Sequence, residues 1–312
     1  MDFSVVIPVF NERDSVAPLH EELDRVMRSM AGSYELIFVD DGSIDGTADV
    51  LRKLKESNPN MRGIRLARNS GQTAALVCGL QHATGDIVVA IDGDGENDPA
   101  DIPKLAAKLK EGYDLVTGWR TQRWKGATLT RRIPSEAANA LISRITRVRL
   151  HDYGCTLKAY RRDLAHSLKL YGEMHRFIPA IAAEQGAQIA EIEVNFRPRR
   201  AGVSKYGLGR ILRTLLDLIT VKFLSAYSTR PIQVFGAIGI VLGGLGSAWT
   251  LMLVLEKILL GYHLGDRPAL LLAILLVVVG VQLVSIGLLG EMIARTYHES
   301  QGKPVYVIKE EF

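Results

Sequence analysis

Apolar and polar positions alternate along the first part of the chain in short, regular blocks. Strand-sized apolar runs occur at Phe3 to Val9, Glu35 to Val39, Arg62 to Leu66, Asp86 to Ile91 and Asp114 to Thr117. Between them lie amphipathic stretches such as "DSVAPLHEELDRVMRSM" and "GTADVLRKLKESN", with Gly, Pro and Asp turns at their ends. Strand and helix alternating in this way predict an α/β domain built on a mostly parallel sheet with helices on both faces. The pattern changes after about Tyr206. Pro231 to Leu255 and Pro268 to Leu289 contain no charged residue. Each exceeds the roughly 20 residues that a helix needs to cross a bilayer, and soluble helices rarely run so long without a polar face. A transmembrane helical hairpin is expected, with Gly243, Gly244 and Gly246 suited to close helix contact in lipid.

Between the two regions, Ile211, Leu212, Leu215, Leu218 and Ile219 share one helical arc opposite Arg210, Arg213 and Asp217. This suits a helix lying in the membrane interface, with Lys222 snorkelling to the headgroups. The expected division is therefore 1–205 for the α/β domain, 206–230 for the interfacial region, 231–290 for two spans and 291–312 for a tail. The opening "MDFSVVIPVF" lacks the basic start of a signal peptide. Lys and Arg before the first span and after the second place the domain and both termini in the cytoplasm. Cys78 and Cys155 form no metal-ligand pattern and would stay reduced there. The net charge of +4 on 312 residues is too small to define a partner, and no nucleic acid is expected.

The chemistry is signalled by "AIDGDGENDP", where Asp92, Asp94, Glu96 and Asp98 occupy alternate positions just past the fourth apolar run. In a continued strand these acids would line one face and repel one another. A turn at Gly93 and Gly95 would instead aim carboxylates at one spot, where a hard cation such as Mg²⁺ or Mn²⁺ could offset them. Asn11 and Glu12 follow the first run, and Asp40 and Asp41 the second, so three strand ends deliver polar groups to the side where such sheets bind ligands. Asp45 and Asp98 read as ordinary turn and cap residues. Neither a G-x-x-x-x-G-K-[ST] loop nor a G-x-G-x-x-G after a strand is present, so a nucleotide diphosphate would have to be held by metal.

The segments "VVIPVFNE", "FVDDGSIDGT", "RNSGQTAALVCGL", "IDGDGENDP", "DYGCTLKAYRR", "YGEMHRFIPA", "RAGVSKYG" and "GEMIARTYHESQGKPVYVI" together resemble family 2 glycosyltransferases of the GT-A (Rossmann-like) fold. Among these they are most similar to polyprenyl-phosphate glycosyltransferases related to dolichyl-phosphate mannose synthase. The resemblance implies inverting transfer of a sugar from a nucleotide-sugar donor, UDP favoured over GDP, to a polyprenyl phosphate such as undecaprenyl phosphate at the bacterial inner membrane. It implies that Pro8, Asn11, Glu12, Asp40 and Asp92 line the nucleotide pocket, and that Asp92, Asp94 and Glu96 serve the metal, Glu96 standing where the family usually has Gln. It places Arg120, Arg131 with Ser135, Arg199 and Lys205 on the acceptor phosphate, with Arg132 and Arg200 as neighbouring alternatives for two of these.

Asp152 is expected to position groups near the transferred sugar. A phosphate monoester is largely ionised at neutral pH, so no obligatory base is required. His151 and His175 read as loop and packing residues or as substrate contacts. A homo-oligomer, with a tetramer as one form, is also implied. Two other readings share the same front half: a processive polysaccharide synthase, against which "TQRW" lacks the Q-x-x-R-W spacing, and a membrane-tethered nucleotide-binding regulatory module.

Overall fold

A computed structural model of the chain describes residues 1–121, 143, 148–170, 174–197, 232–260, 268–300 and 306–312. The five apolar runs become strands β1 (Phe3–Val9), β2 (Tyr34–Asp40), β3 (Met61–Leu66), β4 (Ile87–Ala90) and β5 (Leu115–Trp119). Helices α1 (Arg13–Ser29), α2 (Thr47–Ser57), α3 (Gln72–His82) and α4 (Ile102–Lys110) lie between them in the chain. Helix α1 buries Val16, Leu19, Leu23 and Met27, spaced to fall on one face. Helix α3 is buried along most of its length and lies close to the sheet at Gly79, where a Cβ would stand 2.2 Å from Val6 Cγ1.

Three further strands complete the sheet: β6 (Lys158–Arg161), β7 (Ile189–Glu193) and β8 (Ile308–Glu311). Helices α5 (Arg162–Ser167) and α6 (Ile178–Glu184) separate β6 from β7. The strand order is β7-β5-β6-β4-β1-β2-β3-β8. Strands β4, β1, β2 and β3 are parallel neighbours, so their carboxyl ends share one edge. Strand β6 enters between β4 and β5, antiparallel to both. The core lies between this sheet and its helices, with Val5, Ile7, Leu36, Phe38 and Val89 completely buried.

The C-terminal residues return to the sheet. Residues 304–312 belong to the same compact unit as residues 1–218, because β8 pairs antiparallel with β3. Gly63 and Phe312 exchange backbone hydrogen bonds of 2.8 and 2.9 Å. "IKEE" carries almost no hydrophobic signal, and its strand geometry comes from the partner edge that pairs with its backbone.

The second compact unit, residues 219–303, contains helices α7 (Ile232–Leu260) and α8 (Pro268–Ser300). Phe235–Leu259 and Pro268–Gly290 are long and apolar enough to cross a membrane, with mean hydropathies of 2.0 and 2.9. The helices meet along glycines. A Cβ on Gly280 would stand 2.6 Å from Gly239 O and 2.7 Å from Gly243 Cα, and one on Gly246 would stand 2.7 Å from Ala273 O. Gly239, Gly243 and Gly246 therefore form the seam, and Gly244, expected in it, faces away with nothing within 4 Å of its Cβ position. Gly280→Leu is expected to wedge the pair apart at a cost of about 1–3 kcal/mol. Thermal melts of the detergent-solubilised protein by circular dichroism should drop for Gly280→Leu and stay unchanged for Gly244→Leu.

Candidate active site

The turn after β4 forms as its residues require. The strand ends at Ala90, and Asp94 Oδ1 accepts a hydrogen bond from the Glu96 N–H at 3.1 Å, closing a local turn. Gly95 has φ +73°, a conformation that side chains disfavour. Gly93 lies against β1, where a Cβ would come within 2.5 Å of Val9 Cγ1. Asp98 caps the following 3-10 turn through Ala100 N–H, and Asp45 accepts from Thr47 N–H, so both are the turn residues expected.

Asp92 leaves the strand beside the amino end of α3, where Gln72 Nε2 donates to its Oδ1 at 2.8 Å. Burial first, and then the charge of Asp94, push the Asp92 carboxyl above the usual carboxylate range; Thr156, Arg120 and Gln72 give partial relief. Two acids so crowded are stable together when a cation shares them, and in this respect the pair fits Mg²⁺ or Mn²⁺. Among the described residues no group of three His, Cys, Asp or Glu side chains gathers to hold a metal. The pair could therefore serve an ion whose remaining ligands are oxygens of a substrate or water. Glu96 contributes its charge toward Arg120, whose basicity it helps to raise.

The neighbouring strand ends supply the other expected groups. Pro8 lies in β1 and lines a small pocket together with Asp92, Gln72 and His175. Asn11 adopts φ +55°, and its Oδ1 accepts from Ile44 N–H at 3.0 Å while its own N–H donates to Ser43 Oγ at 2.9 Å. Glu12 N–H donates to Thr47 Oγ1. These bonds tie the loop after β1 to the loop after β2. Asp40 is completely buried at the end of β2, with Oδ1 accepting from Ser43 N–H at 2.9 Å. Asp41 accepts from the N–H groups of Ser70 and Gly71, fixing the turn into α3.

Arg120 and Asp152, anticipated as separate contributors, are partners. Arg120 Nε donates to Asp152 Oδ2 at 2.7 Å and Nη2 to Oδ1 at 3.1 Å, a bidentate pair with both residues 6% exposed. Burial alone would weaken the guanidinium's basicity, but the Asp152 charge outweighs it and holds the group above the usual arginine value. Two of the Arg120 N–H groups are thereby committed to Asp152. Arg131, Ser135, Arg199 and Lys205, the alternatives Arg132 and Arg200, and the amphipathic stretch 208–223 lie outside the described residues.

Further residues hold this site in place, and one of them, Glu191, lies outside every motif segment. Glu191 of β7 accepts from the backbone N–H groups of His151 and Asp152 at 2.9 and 3.0 Å and meets His151 Nδ1 at 2.7 Å. His151 also stacks on Trp119, with ring centroids 4.1 Å apart, so its structural role is to fix the loop that carries Asp152. His175 is buried and meets Thr73 Oγ1 at 2.8 Å, bracing the first turn of α3. Lys158 is buried in the same cavity and donates to Cys155 O. Burial pulls its ammonium below the usual lysine range, against the opposing pull of Cys155, Asp152 and Asp92. Only the alternation of "IAEIE" could have pointed to Glu191. Cys78 and Cys155 are buried free thiols.

A sequence model described as Glycosyl transferase family 2 matches residues 4–168. A dodecaprenyl-phosphate galacturonate synthase of Rhizobium johnstonii is 44% identical over 100% of this chain and 93% of its own length. An undecaprenyl-phosphate 4-deoxy-4-formamido-L-arabinose transferase of Shewanella sediminis is 36% identical over 99% of this chain and 92% of its own. Among solved structures, glucosyl-3-phosphoglycerate synthase of Mycobacterium tuberculosis, crystallised with Mn²⁺, UDP and glucosyl-3-phosphoglycerate, shares the fold. It superposes with a TM-score of 0.53 at 24% identity, covering 72% of this chain and 79% of that one. The acidic turn after β4, the strand order that brings it beside β1 and β2, and a match over more than half the chain agree: this protein belongs to glycosyl transferase family 2.

Proposed function

We propose that this protein transfers a sugar from a nucleotide-sugar donor to the phosphate of a polyprenyl lipid, with inversion at the anomeric carbon. One observation carries the reading. The chain joins an acidic crevice at the carboxyl ends of a parallel sheet to two membrane-length helices, and it aligns across both with relatives named for polyprenyl-phosphate sugar transfer.

In this reading Asp92 and Asp94 hold Mg²⁺ or Mn²⁺, which when bound stabilises the negative charge that develops on the leaving diphosphate. Pro8, Asn11, Glu12 and Asp40 bind the base and ribose of a UDP or GDP donor. Asp152 holds Arg120 in a fixed orientation, and the guanidinium draws the acceptor phosphate toward the sugar, joined by Arg131, Ser135, Arg199 and Lys205. Because the phosphate arrives ionised, its oxygen attacks without a protein base. A carboxylate already bound twice by an arginine is in any case a weak proton acceptor.

The acceptor's phosphate sits at a membrane surface, and the sheet domain works there. Both the strands before α7 and the strand after α8 belong to one sheet. Two crossings return the chain to the side it left, so the domain and both termini share one side, and the Lys and Arg residues flanking the spans favour the cytoplasmic one. A homo-oligomer completes the reading.

The test is a panel of nucleotide sugars, UDP-activated uronic acids, hexoses and pentoses together with GDP-mannose, offered with Mn²⁺ and undecaprenyl phosphate to the detergent-solubilised protein. One donor is expected to yield a lipid-linked sugar phosphate on thin-layer chromatography. Nucleotide binding with no product from any donor would make the protein a regulatory binding module.

A further inference from the structure

Asp40, Arg65 and Glu310 are register partners across three adjacent strands. Asp40 of β2 lies opposite Arg65 of β3, and Arg65 lies opposite Glu310 of β8. Their side chains form an acid, base, acid row at the carboxyl end of β2. Arg65 Nη1 donates to Glu310 Oε1 at 3.4 Å, and Nη2 donates to Ser43 O at 3.1 Å. Its Nε stands 3.3 Å from Asp40 Oδ2, yet the two atoms do not align as a hydrogen bond. Oδ2 is buried and accepts no hydrogen bond among the described residues. A buried carboxylate oxygen with an open position is costly unless a donor arrives to fill it.

Glu310 is held firmly where it can share Arg65. Arg52 Nη2 donates to the same Oε1 at 2.6 Å. The Arg52 guanidinium also lies over the Phe312 ring, 5.5 Å from its centroid. Phe312 occupies the space left by Gly63, where a Cβ would stand 2.1 Å from the ring. These contacts pin the last residues of the chain to the edge of the sheet.

We propose that the C-terminal strand is part of the donor site, with Glu310 and Arg65 as positioning residues for Asp40. By taking a share of Arg65, Glu310 keeps the guanidinium, whose Nε stands 3.3 Å away, from aligning on Asp40, and a hydrogen-bond position on the buried Oδ2 is left for an N–H or O–H of the nucleoside as the donor seats. Without that second carboxylate Arg65 would turn its full charge to Asp40 and occupy the oxygen. The pocket then depends on residues that follow α8, far outside the segment 4–168 that defines the family. The inference rests on the reading that Asp40 contacts the donor nucleoside.

Titration calorimetry of the full-length, detergent-solubilised protein with Mn²⁺ and UDP, and in parallel with Mn²⁺ and GDP, tests both levels. For whichever nucleotide the wild type binds more tightly, Glu310→Gln is expected to weaken binding about three- to tenfold, the range of one hydrogen bond. Glu310→Asp, which keeps the charge, should recover most of it. The deciding measurement is the pair Asp40→Asn and Asp40→Asn/Glu310→Gln. Equal affinities mean that Glu310 acts through Asp40, whereas a further loss in the double variant would overturn the proposal and leave Glu310 a purely structural residue. Glu310→Gln binding like the wild type while Asp40→Asn binds weakly would refute the strand's role alone. Unchanged binding by Asp40→Asn would refute the nucleoside assignment beneath it.

Discussion

Asp94→Asn is expected to lower turnover by about a thousandfold or more, a loss of roughly 4 kcal/mol of transition-state stabilisation. Asparagine keeps the Oδ1 that accepts from Glu96 N–H, so the turn should survive while the charge is lost. The substitution also removes the charge that helps to push up the Asp92 carboxyl, so Asp92 ionises more easily and the variant should fold at least as well as the wild type. The two effects point in opposite directions, which makes the experiment decisive. Turnover, Mn²⁺ affinity by calorimetry and the thermal melt should be measured on the same preparation. Near-normal turnover in the variant would remove the metal assignment from Asp94.

The second large effect is expected at the buried ion pair. Asp152→Ala leaves the Arg120 guanidinium charged, buried and without its bidentate partner, and breaking such a pair costs about 3–5 kcal/mol. Arg120→Met removes the other half and strands the Asp152 carboxylate. The double variant Arg120→Met/Asp152→Ala should recover part of the stability lost in either single variant, because no uncompensated charge remains. Activity should show no such recovery. If Arg120 steers the acceptor phosphate, all three variants should lose transfer to undecaprenyl phosphate while retaining UDP–Mn²⁺ binding. Recovery of activity along with stability would reduce the pair to a structural brace.

Much of the site could be read from local residue chemistry. "IDGDG" announced a turn that presents carboxylates, and the structure has the Asp94 turn and the positive φ of Gly95. The acids after β2 and β4 and the polar residues after β1 were placed on one edge by strand alternation alone, and those strands are neighbours. Other features escaped because their signal is spread over distant segments. "KAYR" is too short and too charged to read as a strand, and it becomes one by fitting between β4 and β5. Glu191 is an unremarkable acid until β7 pairs with β5 and brings it under the loop of His151 and Asp152.

The sequence by itself determined the parts: the strand and helix periods, the acidic turn, the two long apolar segments and the list of charged residues available for phosphate chemistry. These are properties of residues within one turn or one strand of each other, where spacing and side-chain type decide the outcome. Only the tertiary structure decided the partnerships: Arg120 with Asp152, Gly280 in the seam with Gly239 and Gly243, and Glu310 beside Arg65 and Asp40. Such pairings depend on strand order, register and helix contact between residues far apart in the chain. Many registers satisfy the same local pattern, and the packing of the whole core selects one.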